Sequence, residues 1–532
     1  MVVDRKKATF GQLDTKDRLS DLPDSIIHHI ISFLGTEEAC RTTILSKRWV
    51  HIWSTGLILD FRPQFFAAKK NGVFVDGYVS GVKGPYDTET IGRLVNFIEI
   101  TMRRYSEKNL SIRKLRLEYP TVDQEMSGRI DGWLGIALQN QVEVLSLSVI
   151  PEGSPSYGLP AILFLAKSLI NLTFCRVRVP HFENLKLSSL QSLDMTEVNI
   201  DENMLQDIIM SCPLKILRLE SCSGPQNISI PCCSRLESLN VTRSIPIGGK
   251  VLVDTSSIQR CTYFGYNEDD PWPLLLTPAS KKNLRNLHIS GVVIMDDIFE
   301  KLVSELPSME NMAFYGCTMP MNIRIASQTL KELGVHDCYD LINVVVDAPE
   351  LDIFCYNGDL QLSSVINSQS KYNAYLHLNI AKLDNRALVR IKNLLRKSKC
   401  CKVLSIILNE AHDVPEIEVD MDRLSKIRQY RDEPCYVQEL KLSVSCSTPT
   451  SVLGESTCKA LIDGLLWCCR PDILSLSVTI PYDNNIIRTL LEILENQVKY
   501  WKHPLKRMEI EGTNCSLLFS NYDLDLRLRL YW

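Results

Sequence analysis

The side chains in this chain that could do chemistry are few, and they stand in adjacent pairs. Asp269-Asp270 and Asp296-Asp297 are carboxylate pairs of the kind that general acid–base work uses. Cys232-Cys233, Cys400-Cys401 and Cys468-Cys469 are thiol pairs, which suit metal or redox chemistry, and His28-His29 is the one adjacent histidine pair. Catalysis needs groups that converge in space, and adjacency along a chain does not provide convergence. The carboxylates read as solvated loop and helix-start charges, and the histidines as polar positions on a helix. Among the 18 cysteines no C-x-x-C occurs, so zinc-ribbon and zinc-finger spacing is absent. The chain also lacks G-x-G-x-x-G, a P-loop, G-x-S-x-G and H-E-x-x-H. No catalytic residue, no metal ligand and no cofactor is expected.

The elements around these residues say more. Of 532 residues, 45% are apolar and 23% charged, which is globular composition. A net charge of −4 argues against a general nucleic-acid binder. No run reaches the roughly 20 apolar residues of a membrane span. The start, "MVVDRKKATFGQLDTKD", lacks a hydrophobic signal core, so reduced thiols are expected, in the cytoplasm and/or nucleus. On that expectation the sequons at Asn171, Asn227 and Asn240 lose meaning.

The stretch "LSDLPDSIIHHIISFLGTEEACRTTILSKRWVHIW", residues 19–53, reads as three short helices. Pro23 and Asp24 suit the start of the first, Gly35 its stop, Thr36 the start of the second and Ser46 the cap of the third. The first helix carries two apolar stripes side by side. Ile26, Ile30, Phe33 and Leu34 form one; Ile27, Ile31 and again Leu34 form the other. Together they are wider than a small helical unit normally buries. A unit of this size is also below the roughly 40 residues that usually sustain a core alone. Either the rest of the chain covers the excess or a partner does.

These residues resemble the plant-type F-box. Asp17, Arg18, Leu19, Ser20, Leu22, Pro23, Asp24, Ile26, Ile30, Ser32, Phe33 and Leu34 match in the first half. Ala39, Thr42, Leu45, Ser46, Arg48, Trp49 and Trp53 match in the second; Gly35 stands where the family more often has proline. The resemblance implies a partner, a Skp-type adaptor that joins the chain to cullin and RING subunits. Carried over, Leu22, Pro23, Ile26, Ile27, Ile30, Leu45, Ser46 and Trp49 are the adaptor-facing positions. Phe33, Ile44 and Trp53 are expected to hold the three helices together.

Beyond a loop-like stretch at 61–88 and an amphipathic segment at 91–105, the pattern L-x-x-L-x-L repeats. Its centres fall at 115, 145, 172, 193, 217, 239, 261, 287, 312, 333, 354, 376, 404, 440, 474 and 508. The steps are mostly 21 to 30 residues, the leucine-rich-repeat period, and the last three lengthen to 36, 34 and 34. Each unit offers a strand whose inward row only stacked neighbours can bury. The fold class expected is therefore α/β: an N-terminal three-helix F-box followed by a curved leucine-rich-repeat solenoid with a parallel sheet on its concave face. The expected divisions are a disordered 1–16, the F-box at 17–60, a linker and capping helix at 61–108, repeats at 109–370, and longer-period repeats with an FBD-like region at 371–532. "WKHPLKRMEIEG", residues 501–512, weakly resembles the FBD segment, whereas "LDLRLRLYW" does not align to it. Cys222, Cys317 and Cys338 take the repeat's Asn/Cys position as small buried thiols.

Residues flanking the inward rows point to the recognition face: Arg116, Arg218, Arg260, His288, Tyr315, His336, Asn357 and His377. The implied function is that of a substrate-recognition subunit of an SCF-type ubiquitin ligase, the F-box holding the adaptor and the repeat face a target protein. A hormone-like small-molecule co-receptor and a non-ligase F-box scaffold remain as alternatives. Nucleic acid and membrane are not expected as partners.

Overall fold

Runs in which every second residue is large and apolar form strands with one covered face. The computed structural model describes residues 21–34, 36–54, 58–63, 88–119, 124–149, 157–266, 270–360, 364–367, 372–380, 382–397, 401–408, 416–420, 423, 434–445, 455–480, 507–518 and 521–531. The chain divides into two compact units, Met1–Pro213 and Leu214–Trp532.

In the first unit, helices α1 (Asp24–Ser32), α2 (Thr36–Arg41) and α3 (Lys47–Ser54) open the chain, with a 3-10 turn over Thr42–Ile44. Ser46 accepts a hydrogen bond from the Trp49 N–H at 3.4 Å, as an N-cap should. The amphipathic segment forms a helix over Thr88–Glu107. Strands Lys114–Tyr119, Val144–Val149, Asn171–Cys175 and Ser192–Thr196 then pair in parallel, in chain order. Leu115, Leu145, Leu172 and Leu193 sit opposite one another and are buried. One strand ahead of them escaped the repeat pattern. Ile58–Phe61 pairs with Lys114–Tyr119, Leu59 opposite Leu115. Its four residues, "ILDF", are too short to show a six-residue motif.

In the second unit the buried row runs Leu217, Leu239, Cys261, Leu287, Met312, Leu333 and Phe354 on parallel neighbouring strands. Phe354 then lies opposite Ala374, and Leu376 opposite Tyr356. The expected centre at 376 is thus one inward position further along the strand. A register shift at Ala374/Tyr375 brings Leu376 level with Leu404, followed by Leu440 and Leu474.

The expected parallel rung at 508 is corrected. Strand Asn521–Tyr531 runs antiparallel beside Cys469–Ile480, with Leu528 opposite Leu474. Arg507–Leu518 pairs antiparallel on its far side, Met508 opposite Leu530. Only two residues separate these last strands, too few for a parallel crossover and enough for a hairpin. "LDLRLRLY" alternates at period two, so it forms a strand with Leu528 and Leu530 buried.

Short parallel strands outside the leucine motif add small separate sheets, including Ile228–Ile230 with Val251–Val253 and Asn322–Ala326 with Asn343–Asp347. Cys222 and Cys317 are buried and Cys338 half-buried, each sulfur within reach of a backbone carbonyl. Among the described residues no helix is long and apolar enough to cross a membrane, and no three His, Cys, Asp or Glu side chains gather as a metal set. The expected disordered N-terminus and the 64–87 stretch lie outside the described residues.

Candidate functional site

Two surfaces carry most of the residues singled out in the sequence, one in each unit. The first is made by the three helices. Ile27, Ile31, Ala39, Trp49, Ile52 and Trp53 form their core, with Leu22, Leu34 and Cys40 packed against it. Arg48 ties the start of α1 to α3: its guanidinium donates to the Asp24 carboxylate and to the Leu22 carbonyl. Thr42 and Thr43 donate their hydroxyls to the Ala39 and Cys40 carbonyls, both at 2.6 Å, which fixes the turn into α3. The other side of the core meets the chain itself. The Arg104 guanidinium, on the Thr88–Glu107 helix, lies 4.8 Å from the Trp53 ring centroid, and Phe61 packs edge-to-face on Phe97.

Among the described residues of these helices, several large apolar side chains stay uncovered. Ile26 is 44% exposed, Phe33 76%, Ile44 85% and Leu45 55%. Ile26, half-buried Ile30 and Phe33 recur at i, i+4 and i+7, so they lie on one stripe of α1. The edge of the His29 ring meets Phe33 at 4.8 Å, leaving the phenyl open to solvent on the rest of its surface. Two sets of expectations change here. Ile27 and Trp49, expected to face a partner, are buried in the helical core and have no free surface to offer. Phe33 and Ile44, expected to hold the helices together, stand in solvent, while Trp53 does sit in the core. Helical phase is the reason: the stripe that faces α3 is Ile27–Ile31–Leu34, so its neighbour through Ile26 and Phe33 must turn away. Leu22, Ile30 and Ser46 are half-buried, and Pro23 and Leu45 are exposed.

The second surface is the outward side of the sheet in the second unit. Strand register turns scattered residues into rows. Tyr315, His336, Asn357 and His377 are successive neighbours on four adjacent strands. Tyr315 and His336 stack with centroids 4.6 Å apart and planes 8° apart. His288 approaches Tyr315 edge-on at 6.5 Å, and Phe264 does so at 6.2 Å. A parallel row runs Arg218, Asn240, Thr262, His288, Ala313, Gly334 and Cys355. Its small residues matter. A Cβ on Gly334 would stand 2.9 Å from His336 Nε2 and 3.4 Å from the Ala313 Cβ, so the imidazole leans into the space glycine leaves.

Burial holds the imidazoles of His288, His336 and His377 below their ordinary pKa, so they are neutral donors and acceptors near pH 7; Lys441 adds to the effect at His377. Arg260 falls on a third row, between Ser238 and Asn286. Arg116 belongs to the first unit, between Asp60 and Ser146, with Glu118 3.9 Å away. Six of the eight residues therefore fall on two rows of one sheet, five of them on adjacent strands and Arg218 three strands from His288; Arg260 and Arg116 stand apart from those rows. Phe264, Ala313, Gly334 and Cys355 were missed, because only register, not the leucine motif, puts them beside Tyr315 and His336.

Residues 101–248 and 276–426 match the family described as At1g61320/AtMIF1, LRR domain, and residues 19–58 match the F-box domain. The chain belongs to this leucine-rich-repeat family and carries an F-box. Its relatives are F-box and leucine-rich-repeat proteins of Arabidopsis thaliana. "Putative F-box protein At3g58860" is 28% identical over 287 residues, 53% of this chain and 58% of that protein. "F-box/LRR-repeat protein At3g59200" is 30% identical over 158 residues, 30% of this chain and 26% of its own length. "Putative F-box/LRR-repeat protein At3g18150" is 24% identical over 230 residues, 43% of each chain. The chain thus spans less than two thirds of each of these relatives. The F-box match covers the whole of α1, α2 and α3, and the repeat match covers the strands that carry Tyr315, His336, Asn357 and His377.

Proposed function

We propose that this F-box leucine-rich-repeat protein is the substrate-recognition subunit of an SCF-type ubiquitin ligase, in the cytoplasm and/or nucleus. F-box domains generally bind Skp-type adaptors, and through the adaptor the chain would join cullin and RING subunits. The observation that carries this reading is the apolar side of the F-box left in solvent: Ile26, Phe33, Ile44 and Leu45, beside half-buried Ile30. Fully burying one such side chain is worth about 1.5–3 kcal/mol, so a partner that covers several gains much of the free energy a stable complex needs. In this assignment Leu22, Pro23, Ser46 and Leu45 flank the α1 stripe, while Ile27 and Trp49 support it from beneath.

The target is a protein held on the sheet face of the second unit, with Tyr315, His336, Asn357 and His377 at its centre, His288 beside them and Arg218 three strands beyond His288. Stacked rings and neutral imidazoles form a semi-rigid, polar-tipped surface of the type that dominates protein interfaces. The chain supplies no catalytic group of its own. It holds a target lysine near a charged conjugating enzyme, and so converts a bimolecular encounter into an effectively intramolecular one.

The test is co-purification from cells. Tagged wild-type chain should bring down adaptor and cullin, and a variant with Ile26 and Ile30 replaced by Asp should bring down neither. Retention of both by that variant would overturn the assignment of the α1 stripe.

A further inference from the structure

Cys317 and Cys338 occupy the same position of two consecutive repeats. Tyr315 pairs with His336, and Thr318 bridges to Tyr339 with the same offset, so the two cysteines between them stand directly opposite each other. Neighbouring strands lie about 4.8 Å apart, inside the roughly 4.4–6.8 Å Cα separation that a disulfide spans. Their side chains are neighbours: Cys338 draws the Cys317 thiol below its usual range and is itself pushed up by Cys317. The sulfurs also lie 3.4 Å from the Tyr315 and His336 carbonyl oxygens. Cys317 is fully buried and Cys338 half-buried, so solvent reaches the pair from the Cys338 side. The equivalent position at Cys222 shows the contrast. There the opposite residue is Ser244, whose hydroxyl accepts from the Cys222 N–H at 3.0 Å. Cys435 and Cys469 also face one another across neighbouring strands, but their thiols reach carbonyls on two different helices, at Lys392 and Leu465.

We infer that Cys317 and Cys338 form a redox-modification site, a dithiol that a hydroperoxide closes into a disulfide between two repeats. The electron count is complete. The Cys317 sulfur attacks the distal oxygen of a peroxide that enters from the Cys338 side, giving a sulfenic acid, and the O–O bond breaks to release the alcohol (water, for hydrogen peroxide) with the Cys317 proton. The Cys338 sulfur then attacks Cys317, the S–O bond breaks, and water leaves with the Cys338 proton. Two thiols lose two electrons and two protons, and the peroxide takes up both. Cys317 suits the first step: the neighbouring Cys338 thiol, with backbone groups at Val292, Tyr315 and Gly291, holds its thiol below the usual range against the opposing effect of burial, whereas Cys338 is pushed up.

Closure removes the two S–H groups that lie against the Tyr315 and His336 carbonyls, the backbone of the stacked pair. Any effect on target binding rests on the recognition role proposed for that face; the disulfide itself does not.

Peptide mapping of the full chain decides the matter. Reduced protein is treated with hydrogen peroxide, alkylated and digested with trypsin without reductant. Cleavage after Arg324 and Lys331 separates Cys317 from Cys338, and a Cys355→Ser background removes the cysteine that shares the Cys338 peptide. The expected product is one linked pair of peptides, lighter by two hydrogens than their reduced sum, split by dithiothreitol and lost in Cys317→Ser and in Cys338→Ser. Circular dichroism of each serine variant shows whether it folds; if one does not, the linked peptide in the Cys355→Ser chain alone decides. Recovery of Cys317 and Cys338 as separate alkylated peptides, at a peroxide dose that has oxidised the exposed Cys232 and Cys233, would overturn the inference. That failure would leave the ligase reading untouched, because no partner enters the assay.

Discussion

Ile26 and Ile27 are chain neighbours on α1, and one faces solvent while the other is fully buried. The difference sets opposite expectations for substitution. Ile27→Ala should destabilise the first unit by about 2–5 kcal/mol, the usual cost of a cavity in a packed core, read as a lower urea midpoint. Ile26→Asp should change the stability by no more than about 0.5 kcal/mol, as exposed positions do, and leave that midpoint nearly in place. Both residues were visible in the sequence as apolar positions of one helix. Which of two adjacent stripes is covered was not, because that depends on where α3 lies, and the resemblance carried over residue types rather than orientation. The buried imidazoles give a second expectation at this scale. Each of His288, His336 and His377 has a folded pKa below 6.5, so the folded chain binds fewer protons than the unfolded chain in that range. Their contribution to stability is therefore full above about pH 6.5 and is lost as pH falls through the lowered values. Denaturation midpoints should drop between pH 7.5 and 5.5, and His336→Gln should flatten the slope. An equal slope in that variant would exclude His336 as a contributor.

At the scale of elements, the repeat period made the parallel sheet legible, because six residues of L-x-x-L-x-L carry both the strand and its inward face. Elements outside that motif were not legible. Ile58–Phe61 is too short, the small separate strands carry only one to three apolar residues each, and the bulge at Ala374/Tyr375 leaves no mark in a leucine count. The C-terminal hairpin was misread as a parallel rung because its period-two alternation is shared by parallel and antiparallel strands. Its place in the sheet predicts a phenotype. Without Asn521–Tyr531, strand Cys469–Ile480 loses its antiparallel neighbour and presents a long unpaired edge. A chain truncated after residue 518 should aggregate at concentrations where the full chain stays in solution, as light scattering would show. A monodisperse truncated chain would contradict the role given to the hairpin. Gly334 carries the complementary expectation for the sheet face. In Gly334→Ala the new methyl would displace the His336 ring from Tyr315, since the two atoms would stand 2.9 Å apart. Stability should change by less than about 1.5 kcal/mol, because the obstructing atom is the end of a flexible side chain. Affinity for the target should nevertheless fall.

For the whole molecule, division of labour is the central idea: an F-box whose core is complete but whose outer side is apolar and wet, and a repeat sheet whose outward rows are polar and aromatic. Both features follow from one physical fact, that a short helical unit and a single strand can each cover only one of their faces. The most direct measurement is calorimetric titration of the purified full chain with a purified Skp-type adaptor, alongside a variant carrying Ile26→Asp and Leu45→Asp. The account predicts saturable binding by the wild-type chain, at least a tenfold loss of affinity in the variant, equivalent to about 1.4 kcal/mol, and unchanged thermal unfolding. Equal affinity in the two proteins, or no binding by the wild-type chain, would contradict it.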